Sequence, residues 1–429
     1  MSISSFADFG FIKPIERALK ERKHVTPTPI QIHSIPLLLR GRDFLGIAQT
    51  GTGKTAAFAL PILNILSKRE DNDKHRQPRA LILAPTRELA IQINDEFRLY
   101  SKFLHLKNTV IFGGVSQKTQ VSAIKRGIDI IVATPGRLLD LIRQGVIKLG
   151  QIELLVLDEA DRMLDMGFIL DVRKIIAALP KERQSLLFSA TMPQEVSKLS
   201  SDLLYKPVRV EIAPQATPIE RIKQYVKHVA SSEKRKVLEE VLSDPHYSRV
   251  LVFLRTKHRA NKIAMLLSNA GIDSDAIHGN KSQGARQRAL KRFRLGEIRV
   301  LVATDIAARG IDVNGITHVI NYELPNEAEN YVHRIGRTAR AGANGTALSF
   351  CDISEINYLR DIEKLIGTKI TVIGDGPADT PHLQNKKINK PQGRKFNRSR
   401  KLRGRSKGHR KGHSKLNRNN NSSPSPKTA

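Results

Sequence analysis

The sequence predicts an α/β fold: two tandem domains, each a mostly parallel β-sheet flanked by helices, followed by a disordered basic C-terminal tail. Three observations carry this expectation. Short apolar runs alternate with helix-length stretches, which is the signature of βαβ units. The runs fall into two series separated by a proline-bearing segment. The last fifty residues hold almost nothing that could build a core.

The first series of strand-like runs lies at 80–83, 128–132, 154–157 and 185–188. The second lies at 250–254, 300–303, 319–321 and 347–350. Between the first two of these, 259–270 reads as a helix with Ile263, Leu266, Leu267 and Ala270 on one face. Residues 206–218 carry three prolines and no period, and are the expected linker. The expected domains are therefore 1–208 and 218–370, with a tail over 375–429 rich in Arg, Lys, Gly, Ser and Asn.

A chain of 429 residues is long enough for two or three cores. Its net charge is +31, of which residues 380–429 supply +16 through sixteen Lys or Arg and no Asp or Glu; the other 379 residues supply +15. Both parts thus favour a polyanionic partner. Cys351 is the single cysteine, which excludes an internal disulfide and a cysteine-rich zinc site. No apolar stretch approaches the ~18 residues that span a bilayer. The amino terminus lacks a basic region followed by an apolar core, so no secretion leader and a cytoplasmic location are expected.

Residues 154–161, Leu-Leu-Val-Leu-Asp-Glu-Ala-Asp, end a four-residue aliphatic run with three carboxylates. Such a run reads as a strand buried on both faces, and its carboxyl end is where open α/β sheets place ligands. Upstream, Ala48-Gln49-Thr50-Gly51-Thr52-Gly53-Lys54-Thr55 precedes an apolar helix over 56–66 and reads as a phosphate-binding loop, with Ala48 where the strict pattern has Gly. Gly51 and Gly53 let backbone N–H groups approach phosphate oxygens. Lys54 would reach the β- and γ-phosphates, and the Thr55 hydroxyl would bind Mg2+. Asp158 is the natural magnesium partner through water, and Glu159 the group that accepts a proton from the attacking water or orients it. ATP and Mg2+ are the expected ligands.

With these motifs the chain resembles the DEAD-box RNA helicases of superfamily 2. In order it carries Pro27-Thr-Pro-Ile-Gln31, the loop at 48–55, Pro85-Thr-Arg-Glu-Leu-Ala90, Gly113-Gly114, Thr134-Pro-Gly-Arg137, Asp158-Glu-Ala-Asp161 and Ser189-Ala-Thr191. The second half adds Gln283 and Arg286 after His278-Gly279, then Ala303-Thr-Asp305, Ala308-Arg-Gly-Ile-Asp312 and His333-Arg-Ile-Gly-Arg337. The likeness covers roughly residues 6–350, and the stretch at 278–286 together with the basic tail is most similar to the bacterial RhlE-type subgroup.

This resemblance implies two RecA-like domains and assigns roles. Gln31 would contact the adenine edge. Arg337 and Arg340 would enter from the second domain as arginine fingers, and Asp312 would approach the ribose and phosphates. Ser189, Thr191 and Asp161 would couple the carboxylates to domain closure. Arg87, Gly114, Thr134 and Arg137 of the first domain, with Gln283, Arg286, Thr304, Asp305 and Arg309 of the second, would contact RNA. Arginines, hydroxyls and glycine N–H groups suit phosphate and ribose, so binding should tolerate any sequence. At 5% aromatic residues and no Trp, stacking platforms are not expected.

Two positions depart from the family pattern. His24 stands where a Phe or Tyr usually stacks on the base, and weaker ATP affinity is expected from its smaller ring. Ala339 stands where Gly is commoner, with little effect expected because Ala is small. The implied activity is ATP hydrolysis coupled to local RNA strand separation, with ribosome assembly and RNA decay both compatible. A translocating DNA helicase, and an RNA chaperone or scaffold acting through the basic tail, are the alternatives.

Overall fold

In the computed structural model, the residues described are 3–49, 51–68, 76–212, 221–308, 313, 315–339 and 344–374. Seven strands, β1 (Phe44–Ile47), β2 (Ala80–Leu83), β3 (Asn108–Ile111), β4 (Ile130–Ala133), β5 (Leu154–Leu157), β6 (Gln184–Ser189) and β7 (Val208–Glu211), form one sheet. Seven more, β8 (Ile222–His228), β9 (Val250–Leu254), β10 (Ser274–Ile277), β11 (Val300–Thr304), β12 (His318–Asn321), β13 (Gly345–Cys351) and β14 (Thr371–Val372), form the other. The first sheet runs β3-β4-β2-β5-β6-β1-β7 and the second β10-β11-β9-β12-β13-β8-β14, which is the same order repeated. All pairings are parallel. Both sheets lie within one compact unit, Met1–Asp379.

The run at 154–157 is buried on both faces, as its composition predicts. Leu154 and Val156 enter one core, and Leu155 and Leu157 enter the core on the opposite face. In the second sheet Val250, Val252 and Leu254 face one core while Leu251 and Phe253 face the other. Each such side chain contributes about 1.5–3 kcal/mol on burial, so helix-covered parallel strands are its natural setting.

Several sequence expectations are corrected. The segment expected as a linker begins with a strand: β7 pairs with β1, Phe44 opposite Val208 and Ile47 opposite Glu211. Its Val-Arg-Val-Glu alternation suits a half-exposed sheet edge, which the flanking prolines masked. Residues 213–220 lie outside the described set. The first sheet therefore continues past 208 to Glu211, and the second past 370 to Val372. The helix expected over 259–270 is Lys257–Asn269, and its buried face is Ala260, Ile263, Ala264 and Leu267, with Ala270 exposed. The helix after the phosphate loop starts at Lys54. The tail expected over 375–429 lies outside the described residues.

The strand order places β5, β6 and β1 side by side, so the segments leaving their carboxyl ends meet. That adjacency requires a close approach at Gly46, where an added Cβ would stand 2.7 Å from both Phe44 and Phe188 ring atoms. Those rings pack 5.4 Å apart between centroids. Gly46→Ala is expected to destabilise the protein by about 1–3 kcal/mol through overpacking, read as a lowered urea midpoint with unchanged slope.

Candidate nucleotide and RNA site

The ladder between β1 and β6 continues into the loop, because the Ala48 N–H donates to the Ser189 carbonyl at 2.9 Å. The loop then closes on itself. Thr52 Oγ1 donates to the Gln49 carbonyl at 2.8 Å, and Lys54 Nζ to the Ala48 carbonyl at 3.0 Å. Gly53 adopts φ +91°, and a Cβ there would stand 2.5 Å from Gln31 Nε2. That space is used: Gln31 Nε2 donates to the Gly53 carbonyl at 3.0 Å, while its Oε1 accepts from the Thr28 N–H at 2.9 Å. Gln31 thus ties the first turn of helix Pro29–Leu39 to the loop. Gly51 and Thr55 complete the loop, and Thr50 lies outside the described residues.

The three carboxylates after β5 each meet a different partner. Asp158, 2% exposed, lies 3.9 Å from Lys54 Nζ through Oδ1, and that oxygen has no hydrogen-bond partner. Burial pushes its pKa up to about 6 against the pull of Lys54, and the neighbouring Glu159 adds to the rise. Glu159, 3% exposed, pairs with Arg162 Nη1 at 2.9 Å and holds a left-handed backbone, φ +56°. Asp161 Oδ2 accepts from the Ala190 N–H at 3.1 Å, the Thr191 N–H at 2.9 Å and Thr191 Oγ1 at 3.0 Å. The Asp161 N–H donates to Ser189 Oγ at 3.1 Å, and Ser189 Oγ donates to the Thr191 carbonyl at 2.7 Å. The segments after β5 and β6 are thereby locked together.

The second-sheet half presents buried arginines. Arg334, 1% exposed, forks onto Asp305 at 2.5 and 2.7 Å and donates to Asn321 Oδ1 and the Glu323 carbonyl. Arg337 donates to the His333 carbonyl at 3.1 Å and lines a small cavity with Arg162, Asp305 and His333. Asp312, Arg309 and Arg340 lie outside the described residues.

The expected RNA residues fall into two groups. Arg87 opens helix Arg87–Tyr100 and its guanidinium lies over Gly114. Burial, then the nearby Arg286, lowers its pKa from the ordinary value. Thr134 caps helix Pro135–Arg143, whose Arg137 reaches Asp140 at 3.6 Å and the Val115 carbonyl at 3.4 Å. Gln283 and Arg286 are buried, both 3.0 Å from Glu88 Oε1 of the first half. Thr304 ends β11 and is buried. Asp305 pairs with Arg334 through both carboxylate oxygens while its side chain stays 24% exposed.

His24 stacks on Phe6 at 6.2 Å and meets Tyr100 at 6.0 Å between ring centroids. Burial, then Arg22, lowers its pKa from the ordinary value and favours the neutral ring. Glu88, Arg162 and Arg334 were not singled out from the sequence, although each stands inside or beside a recognised motif. Ala339 also needs correction. It adopts φ +55°, a region that costs an L-residue energy whatever its size.

Two parallel sheets of identical order, with a phosphate loop and carboxylates at adjoining strand ends, define a tandem RecA-like nucleoside triphosphatase. Family models match as DEAD/DEAH box helicase over residues 28–199 and helicase conserved C-terminal domain over 233–342. The chain is 42% identical to ATP-dependent RNA helicase CshA of Listeria monocytogenes, over 84% of this chain and 69% of that one. Its structure is similar to that of S. cerevisiae Dbp5 bound to RNA and ADP BeF3, at 33% identity and TM-score 0.76, covering 86% of this chain and 96% of that one. A variant of Dbp5 bound to Nup159, Gle1, IP6 and ADP gives 0.58 at 31% identity, covering 85% and 95%. The chain belongs to the DEAD/DEAH box helicase family. It is an ATP-dependent RNA helicase, an enzyme that hydrolyses ATP. Among the described residues no helix is long and apolar enough to cross a membrane.

Ala339→Gly is expected to stabilise the protein by up to about 1 kcal/mol by relieving the left-handed strain. A thermal melt of the two proteins side by side reads this as a small rise in midpoint.

Proposed function

We propose that this helicase separates short RNA duplexes locally, by closing two RecA-like domains, 1–208 and 218–370 in first outline, around one ATP and one RNA strand. The observation that carries the reading is the division of labour among the carboxylates at the β5 end, beside the Lys54 loop and across from Arg337. Gln31 would read the adenine edge and His24 would stack on the base. The loop from Ala48 to Thr55 would cradle the phosphates, with Asp312 at the ribose. Arg337 and Arg340 would neutralise charge on the transferring phosphate.

The residues fit a magnesium ion. Asp158 Oδ1 is buried with no hydrogen-bond partner, and the Lys54 ammonium stands 3.9 Å from it. Among the described residues no group of three His, Cys, Asp or Glu side chains forms a metal cage, so Thr55 and Asp158 would hold the ion together with phosphate and water. When bound, it supplies neutralisation of phosphate charge. Glu159 orients the attacking water and takes its proton. Lys54 and the loop N–H groups hold the phosphates in line, and exclusion of bulk water by closure strengthens each of these contacts.

Asp161, Ser189 and Thr191 transmit closure to the carboxylates. RNA would run over Arg87, Gly114, Thr134 and Arg137, then Gln283, Arg286, Thr304 and Arg309, held by phosphate and ribose. The paired Glu88, Gln283 and Arg286 place the two halves of that path in contact. The basic tail would add sequence-independent attraction. An RhlE-type role in ribosome assembly or RNA decay, in the cytoplasm, agrees with the motif at 278–286 and with that tail.

Glu159→Gln is expected to cut RNA-stimulated ATPase to a small residue while ATP still binds; full turnover in the variant would remove Glu159 from the mechanism. RNA should activate hydrolysis and matched DNA should not, since only the 2′-OH distinguishes them. Removing residues 380–429 should weaken RNA binding and flatten its salt dependence while leaving RNA-stimulated ATPase in place. Loss of the ATPase on removal would favour the scaffold alternative.

A further inference from the structure

Arg162 has no role in the reading so far, yet its position is unusual. It lies on the short helix Ala160–Asp165 and is 7% exposed. One side of its guanidinium holds Glu159 Oε2 at 2.9 Å. The other borders a cavity whose remaining walls all come from the second-sheet half, among them Asp305, Asn330, His333, Arg334 and Arg337. Arg162 is the one first-sheet residue in that wall.

The charges around it decide what it can bind. Asp305, the one carboxylate in the cavity wall, is already forked by Arg334. With that carboxylate taken, the wall offers Arg162 no competing anion, and its guanidinium stays on Glu159. Glu159 in turn is buried beside Asp158, so its carboxylate calls for a positively charged partner, which Arg162 supplies. Its left-handed backbone fixes where the side chain starts but not where the two oxygens point. Arg162 holds one of those oxygens, Oε2, at 2.9 Å.

We propose that Arg162 is a positioning residue that orients the Glu159 carboxylate, and does so fully only while the second-sheet half is docked against it. Withdrawing that half removes the wall that confines the guanidinium, and the carboxylate loses its fixed direction. Arg162 thereby makes hydrolysis depend on closure, by a route separate from the arginines that approach the phosphates. The inference rests on the reading of Glu159 as the group that orients the attacking water.

The test is steady-state ATPase of the full-length protein with saturating RNA, for Arg162→Ala, Arg162→Lys, Glu159→Gln and the Arg162→Ala/Glu159→Gln pair. Arg162→Ala should lower kcat by about tenfold or more while KM for ATP moves by less than about threefold, because the loss falls on the transition state and not on binding. Arg162→Lys, which keeps the charge but not the planar fork, should recover part of that loss and melt close to the unsubstituted protein. The double variant should be no slower than Glu159→Gln alone, since Arg162 acts through that carboxylate. A kcat within twofold of the unsubstituted protein in Arg162→Ala, or a full further loss when it is added to Glu159→Gln, overturns the inference. A Glu159→Gln protein that turns over normally overturns the underlying reading instead, and the inference with it. Should Arg162→Ala fail to fold, an Arg162→Lys protein with unchanged kcat overturns the proposal and one with lowered kcat at constant KM supports it.

Discussion

Everything at the site depends on holding three acidic side chains within four residues, Asp158 and Glu159 fully buried and Asp161 half-buried. Carboxylates that close repel one another, and burial adds the cost of lost hydration to each. The structure resolves this by giving each a partner from a different element. Asp158 faces Lys54 of the phosphate loop, Glu159 faces Arg162 of its own helix, and Asp161 is enclosed by Ser189, Ala190 and Thr191. The division works only because β5, β6 and β1 are neighbours in the sheet. Any order that separated them would leave at least one charge without compensation.

The compensation is unequal, and the inequality has chemical meaning. Asp161 is saturated by four donors and acts as a structural clamp. Asp158 keeps an oxygen with no hydrogen bond, and its affinity for protons is raised. A buried carboxylate left in that condition lowers the stability of the empty protein and raises its affinity for a cation. Glu159 adds backbone strain of about 1–3 kcal/mol. The surrounding cores, in which whole strands alternate between two apolar faces, are what allow such costs to persist.

Much of this was legible in the sequence. Seven of the eight apolar runs lie within strands and the eighth, 128–132, overlaps β4, because a helix-covered parallel strand is buried on both faces. Of the six strands not foreseen, β1 is apolar but short and interrupted by Gly46, and the other five are of mixed composition. β3, β7, β10 and β14 lie at sheet edges, where one side meets water, and β8 reads Ile-Lys-Gln-Tyr-Val-Lys-His with charge between its apolar positions. At the site, contacts between sequence neighbours or within one motif could be foreseen. Partners brought together by the fold could not: Glu88 with Gln283 and Arg286 spans nearly two hundred residues, and the Asp305–Arg334 fork joins two separate motifs. The backbone of Ala339 was equally hidden, since residue size says nothing about a dihedral angle.

The repeated strand order has a consequence for how the chain comes into being. Each sheet draws all its strands from one continuous half of the sequence, β1–β7 and then β8–β14, with none exchanged between them. The first half can therefore complete its hydrogen-bonded ladder while the second is still being synthesised, which is how large chains generally avoid trapped intermediates. Parallel sheets are slow to form because their pairings are distant in sequence. Confining that delay to two separate halves keeps strand edges from the early half away from those of the late one. The same repetition that gives the enzyme two closing faces thus gives the nascent chain two independent folding problems instead of one large one.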